Sequence, residues 1–195
     1  MLAENRLLDA FPPDEMGLYI GIPFCPTRCH YCSFTPLEGI GRTPQVIDGY
    51  LDALCTEIQT VFRTTPLRIR TVYIGGGTPA SLSSRQLERL LGCLAESMAL
   101  SGAAPAETCF EAGRPDCITA DQLAVVRAYG FRRICINPQT MHNVTLERIR
   151  RRHTVRQTEA AFELARRAGF ESINMDLIAG LAGEDEVFHL LKHSY

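Results

Sequence analysis

Cys25, Cys29 and Cys32 stand in the stretch Cys25-Pro26-Thr27-Arg28-Cys29-His30-Tyr31-Cys32, three thiols within eight residues at spacings of four and three. A short loop of that kind can turn its sulfurs toward one iron–sulfur cube and leave the fourth iron without a protein ligand. That open corner separates the pattern from its neighbours. A closed zinc site takes four ligands, usually as two separated Cys-x-x-Cys pairs, and the sequence has no second pair. A ferredoxin-type cluster also takes four thiolates, and no Cys-Pro follows at the distance it needs. The bland alternative is three thiols packed into a loop, which a dense polar stretch after a short strand does poorly.

The rest of the composition is that of an ordinary folded chain. At 195 residues and 46% hydrophobic, it can bury one core of normal size, so one domain is expected. A formal net charge of -2 gives no field that would select nucleic acid or an anionic membrane as a partner. Arg148, Arg150, Arg151 and Arg152 form a basic run that reads first as a solvated helix face. Residues 1–15 are acidic and broken by Pro12 and Pro13, without the apolar core of a signal peptide, and no run reaches transmembrane length; a cytoplasmic location is expected. Eight cysteines in a reducing compartment suit thiols plus one metal site, with Cys55, Cys93, Cys109, Cys117 and Cys135 as core or incidental positions. His30, His142 and His153 have no spacing that joins them to a ligand set.

The elements that must position the thiols can be read from periodicity. Leu18 to Phe24 lead into the Cys loop as a first short strand. Val46, Ile47, Tyr50, Leu51, Leu54, Ile58, Val61 and Phe62 recur at three and four, one buried helical stripe. A β-branched strand over 69–74 runs into Gly75-Gly76-Gly77-Thr78-Pro79. Ser83 with Gln86, Thr119 with Gln122 and Thr154 with Gln157 are capping boxes that open three further helices. Strands are expected over 107–111, 133–137 and 172–177, the last two each entered by a Gly-Phe pair that closes the preceding helix. Five strand–helix alternations predict an α/β fold with a parallel sheet and outer helices. A Rossmann-like sheet with helices on both faces is disfavoured, because the three glycines lack Gly-x-Gly-x-x-Gly spacing and Thr-Pro follows them. The unusual polar residues fall at strand exits: the Cys loop, Gly75 to Pro79, Glu111, Gln139 and Asp176. In β/α barrels that rim is where chemistry is assembled.

Taken together, residues 19–34, 75–79, 110–116, 133–141 (with Ile-Asn-Pro-Gln-Thr) and 173–181 resemble the oxygen-independent coproporphyrinogen III oxidase family of radical S-adenosylmethionine (SAM) proteins, most closely its HemZ-type branch. The resemblance implies a partial (β/α) barrel of about five parallel strands, with a lead-in over 1–16, a core over 17–184 and a tail over 185–195. By position it implies that Cys25, Cys29 and Cys32 bind a [4Fe-4S] cluster, with Tyr19 and Tyr31 beside it and SAM. It implies that backbone groups of Gly76, Gly77 and Thr78 meet the amino end of SAM and that Glu111, Gln139, Arg151 and Asp176 hold the rest. Other readings stay open: Glu111 as a water-facing strand end, Asp176 as a cap, Gln139 as a loop bond, Arg150 or Arg152 in place of Arg151. The implied reaction is SAM cleavage to a 5'-deoxyadenosyl radical, hydrogen abstraction from a propionate of coproporphyrinogen III, and loss of carbon dioxide and an electron to leave a vinyl group. An electron donor such as flavodoxin or ferredoxin is implied as partner.

Several positions depart from the family. Gly21 stands where His is common, Phe34 where the decarboxylases carry a fourth Cys, Arg150 where Gly is usual and Ala182 where Pro is usual. Cluster-binding haem chaperones of the same family also lack that Cys, so haem binding is the alternative activity. The chain is expected to be truncated relative to the six-stranded family barrel. An inactive fragment, marginal in stability or self-associating through an apolar sheet edge, is the third reading.

Overall fold

The computed structural model describes residues 15–38, 43–64, 68–99 and 104–184. Its sheet is built from β1 (Glu15–Ile22), β2 (Arg68–Gly76), β3 (Glu107–Gly113), β4 (Arg133–Gln139) and β5 (Ser172–Leu177), in the order β1-β2-β3-β4-β5. All four neighbouring pairs are parallel. Between them run α1 (Pro44–Thr64), α2 (Ser84–Ala99), α3 (Ala120–Ala128), the short α4 (Asn143–Arg148) and α5 (Val155–Arg167). The strand order never reverses. Right-handed crossovers in such a sheet place every helix on the same face, whereas a doubly wound sheet needs a reversal at its switch point. This topology decides between the two architectures that the sequence leaves in competition. Of the expected lead-in over 1–16, residues 1–14 lie outside the described residues and Glu15 and Met16 open β1; the tail over 185–195 and part of the irregular stretch after the Cys loop also lie outside them.

Alternation along the strands divides the sheet into two chemically different faces. Ile20, Ile22, Val72, Ile74, Phe110, Ala112, Ile134 and Ile136 join Leu51, Leu87, Leu90, Leu91, Leu123, Val126 and Ala165 in one buried apolar cluster under the helices. The residues between them, Tyr73, Gly75, Cys109, Glu111, Cys135 and Asn137, belong to the other face. That face is polar, and it holds the site.

Local chemistry explains the helix ends. Thr119 with Gln122 and Thr154 with Gln157 form complete capping boxes. Ser83 and Gln86 exchange the same bonds, at 2.9 and 3.3 Å. Gly130 and Gly169 both take φ +84. Beyond them the Phe131 and Phe170 amides reach back to the Val126 and Ala165 carbonyls, both at 3.3 Å, and both rings enter the core. The repeated Gly-Phe pair is therefore a repeated Schellman ending.

Helix α4 was not legible, being six residues long with no side-chain cap at His142. It ends in the same motif: the Arg150 amide bonds Glu147 O at 3.0 Å and the Arg151 amide bonds Leu146 O at 2.8 Å. Arg150 occupies the left-handed position with φ +60, where glycine is favoured because it has no Cβ to clash. The expectation of a solvated basic face therefore holds at Arg148, Arg150 and Arg152, which are exposed, and fails at Arg151. Arg148 closes α4, and the motif turns Arg151 inward until it is 9% exposed. Two short 3-10 turns, Pro79–Ser81 and Pro115–Cys117, also follow β2 and β3. No helix among the described residues is long and apolar enough to cross a membrane.

Candidate cluster and cofactor site

The thiol loop is launched from the end of β1 and tied down at several points. Phe24 is fully buried; its carbonyl accepts from the Thr78 amide at 2.8 Å, and the Cys25 amide bonds Leu37 O at 3.2 Å. Farther along, the Cys32 amide bonds Cys29 O at 3.1 Å and the His30 amide bonds Ile149 O at 3.2 Å, which fastens the loop to the end of α4. Cys25 is buried, Cys29 and Cys32 are half-buried, and all three are free thiols. Burial pushes the Cys25 thiol up from its ordinary pKa; the contact with Thr78 Oγ1 at 3.4 Å and the Arg114 charge act against that. Among the described residues no three side chains converge on a single metal ion. A cube asks for something different, since each thiolate holds a separate iron. The donor set, three thiols on one cavity with no fourth thiol among its lining residues, suits that arrangement.

The floor beside the thiols is backbone without side chains. A Cβ on Gly77 would stand 2.9 Å from Cys25 Sγ and 2.9 Å from Phe24 O. Gly76 has φ +112, and a Cβ there would meet Ile22 O at 2.9 Å. The Gly77 and Thr78 amides are already spent on Ile22 O and Phe24 O, at 2.7 and 2.8 Å. These glycines therefore allow β2 to pass close beneath the loop.

Across the floor lies a connected polar network. Glu111, on β3, accepts Tyr73 Oη–H through Oε2 and Asn137 Nδ2–H through Oε1, both at 2.9 Å. Burial raises the Glu111 pKa above the usual glutamate range; the two hydrogen bonds oppose this and the Asp176 charge adds to it. Asn137 Oδ1 is buried without a hydrogen-bond partner, an orphaned acceptor on the cavity wall. Arg151 donates Nη1–H to Asn137 O at 3.1 Å, and Nε–H and Nη2–H to Tyr31 Oη at 3.1 and 2.8 Å. Burial pushes the Tyr31 phenol up to about 12, with Arg151 pulling the other way. Gln139 is 8% exposed and takes φ +69, a conformation uncommon outside glycine and frequent at working sites.

Cys25, Cys29, Cys32 and Tyr31 line one cavity of ≈ 120 Å³ together with Gly76, Gly77 and Thr78. Glu111, Gln139 and Arg151 line it too, from β3, β4 and the loop after α4. Tyr19 and Asp176 do not. Tyr19 is 60% exposed and stacks on Tyr73 with centroids 5.8 Å apart; it lines an adjoining cavity of ≈ 260 Å³ that shares Phe34, Pro36, Gly76 and Gly77. Asp176 is exposed near the end of β5.

Four participants escaped sequence reasoning. Tyr73 and Asn137 could have been found by alternation, since Cys135 pairs with Glu111 and Asn137 is the next residue on that face. Arg114 and Asp116 could not. Asp116 holds Arg114, and the partner of Arg114 in the loop, Thr27, is 87 residues away, with no spacing rule to connect them.

Residues 19–190 match the sequence pattern of the Radical SAM superfamily. The chain is 41% identical over 188 residues to the oxygen-independent coproporphyrinogen-III oxidase-like protein HemZ of Bacillus subtilis, covering 92% of this chain and 37% of that protein. It is 38% identical over 176 residues to the heme chaperone HemW of the same organism, covering 90% of this chain and 44% of that protein. Among solved structures, coproporphyrinogen III oxidase (HemN) from Escherichia coli, a radical SAM enzyme, superposes with a TM-score of 0.80 at 30% identity, covering 97% of this chain and 44% of that one. The chain spans less than half the length of each of these proteins. With the match running from the second half of β1 through the thiol loop, the glycine floor and the other four strands, the chain belongs to the radical SAM superfamily.

Proposed function

We propose that this chain binds a [4Fe-4S] cluster through Cys25, Cys29 and Cys32 and SAM at the open iron, and that it serves the oxidative decarboxylation of porphyrinogen propionates in haem biosynthesis. The observation that carries the reading is that ten residues named from sequence, scattered from Cys25 to Arg151, line a single cavity. When bound, the cluster and SAM supply a 5'-deoxyadenosyl radical. The chain's own residues bind and orient. Glu111 and the orphaned Asn137 Oδ1 are acceptors suited to an ammonium or a ribose hydroxyl. Gly76 and Gly77 let a ligand approach the main chain, and Gly77, its amide already used, has carbonyl oxygen rather than N–H to offer. Arg151 complements a carboxylate, and Gln139 is held toward the same cavity. Tyr19 and Tyr73 form an aromatic wall beside it. Asp176 supplies negative charge near Glu111 at the open end of the sheet. Holding donor and target in register, and keeping other hydrogen donors out, is the protein's share of radical chemistry.

Under this reading the partners are SAM, coproporphyrinogen III and a one-electron donor such as flavodoxin or ferredoxin, with the protein in the cytoplasm. A second reading is favoured by the similarity to HemW: the same site in a chain that captures haem and hands it on. The deciding experiment is anaerobic iron and sulfide analysis with electron paramagnetic resonance before and after SAM, followed by assays for carbon dioxide release from coproporphyrinogen and for stoichiometric haem capture. A cluster signal that changes with SAM, followed by carbon dioxide release, supports the first reading. A SAM-responsive cluster with haem capture and no carbon dioxide supports the second. A cluster signal indifferent to SAM overturns both.

A further inference from the structure

We propose that Arg114 is a positioning residue for the thiol loop: held by Asp116, it fixes Thr27 and so sets the half of the loop between Cys25 and Cys29 before any iron arrives. The inference rests on the cluster reading above and adds to it a residue outside the ligand set.

Arg114 leaves β3 just past Gly113 and opens the Pro115–Cys117 turn. Its side chain is 3% exposed. Nε–H and Nη2–H donate to Asp116 Oδ1 and Oδ2 at 3.1 and 3.0 Å, a two-point grip that fixes the plane of the guanidinium. Nη1 is thereby aimed at the loop, where it donates to Thr27 Oγ1 at 2.6 Å and to Thr27 O at 3.4 Å. Arg151 donates twice to the single phenolic oxygen of Tyr31, so in sequence Cys29 lies between two residues held by guanidinium groups.

Burying an ion pair is a poor way to gain stability, because desolvation offsets most of the attraction and an apolar pair of the same volume does as well. Thr27 gives this pair a different use. An ordered ligand loop removes from metal binding the entropy cost of arranging three thiolates around three irons. The fork is required for this. A lysine ammonium is a point charge on a flexible stem and cannot grip both carboxylate oxygens while reaching Thr27. Asp116 balances the Arg114 charge only in part, since the guanidinium still acts on the Cys25 thiol, lowering its pKa against the effect of burial.

The test uses the 195-residue chain with Thr27→Val, Thr27→Ser and Arg114→Lys. Hydrogen exchange at the loop amides is followed in metal-free protein, together with the unfolding midpoint and iron retention against a chelator after anaerobic reconstitution. Thr27→Val is expected to exchange faster over 27–31 and to lose about tenfold in iron retention, the low end for an outer-shell partner, with a midpoint lowered by no more than the loss of one hydrogen bond to a buried charge. Thr27→Ser should behave as native, and Arg114→Lys as Thr27→Val. If Arg114→Lys fails to fold, the Thr27 pair alone decides. Native exchange and retention in Thr27→Val overturn the inference, and so do equal losses in the Val and Ser variants. A native chain that takes up no iron overturns the cluster reading instead, while exchange in the metal-free protein still decides whether Arg114 orders the loop.

Discussion

Glu111 shows how a single residue can be poorly placed for stability and well placed for a ligand. Its carboxylate is half-buried in the cavity wall, accepts two hydrogen bonds and feels the charge of Asp176. With its pKa raised, the stability contributed by the protonated form is complete below the usual 4.5 and is lost as pH rises through the folded value. Glu111→Gln is therefore expected to raise the urea midpoint of the ligand-free chain near pH 8, with the gain vanishing as pH falls below about 4.5. Its amide can serve both neighbours, because Tyr73 Oη accepts as well as donates. The same variant should bind SAM about tenfold or more weakly by calorimetry, since a hydrogen bond to a charged group is lost. Equal pH profiles for the variant and the native chain would show that Glu111 ionises freely. Glu111 was legible because it lies near the end of a strand on the polar face; the orphaned acceptor of Asn137 was not, because satisfaction of a buried group depends on what packs around it.

The informative elements are the turns at strand and helix ends. At the end of α4, Arg150 holds φ +60 where its side chain clashes with its own backbone. Arg150→Gly should relieve about 1 kcal/mol of left-handed strain, read as a higher urea midpoint with iron uptake unchanged. Gly77 is the opposite case. Gly77→Ala drives a Cβ to within 2.9 Å of Cys25 Sγ and of Phe24 O, an overpacking worth about 1–3 kcal/mol. Iron bound per chain should fall further than the unfolding midpoint, because the nearest atom displaced is a proposed ligand. An alanine variant that fills with iron normally would mean the loop has room the structure does not show. The capping boxes and Gly-Phe endings were readable from residue identity, since each is closed by neighbours three to five residues apart.

At the scale of the whole molecule, the one-sided stacking of helices concentrates buried polar groups at one end of the sheet. His153 is among them. It is 2% exposed, 3.8 Å from Asp116, and close enough to Arg151 and Arg114 to feel both charges. Burial, followed by Arg151, lowers its pKa from 6.5 to about 4. The imidazole is neutral in the folded chain, so its contribution is complete above 6.5 and is lost as pH falls through about 4. About 3 kcal/mol of the acid sensitivity of folding should come from this one group. His153→Leu should flatten the stability profile between pH 6.5 and 4 whatever it does to the absolute midpoint, measured by urea unfolding at several pH values. An unchanged slope would assign the acid sensitivity elsewhere. The exposed far edge is equally a property of the whole: the last four residues of β5, including Met175 and Leu177, are exposed. Such an edge favours association, which sedimentation at several concentrations would detect and Leu177→Lys should reduce.

The sequence alone determined what depends on near neighbours. It specified the thiol spacing, the helix caps, the alternation of strand and helix, and the polar residues near the strand ends, because those are decided within one turn or one pleat; β2, β3 and β4 each run two residues past the expected end. It left the direction of the helices undecided, since periodicity is the same whether a strand order advances or reverses. Only the tertiary structure chose the one-sided sheet, turned Arg151 out of a basic run and onto Tyr31, 120 residues away, and closed the Arg114 grip on Thr27. Those choices come from burial: a guanidinium taken out of water must find acceptors, and the ones within reach were brought there by the packing of distant strands.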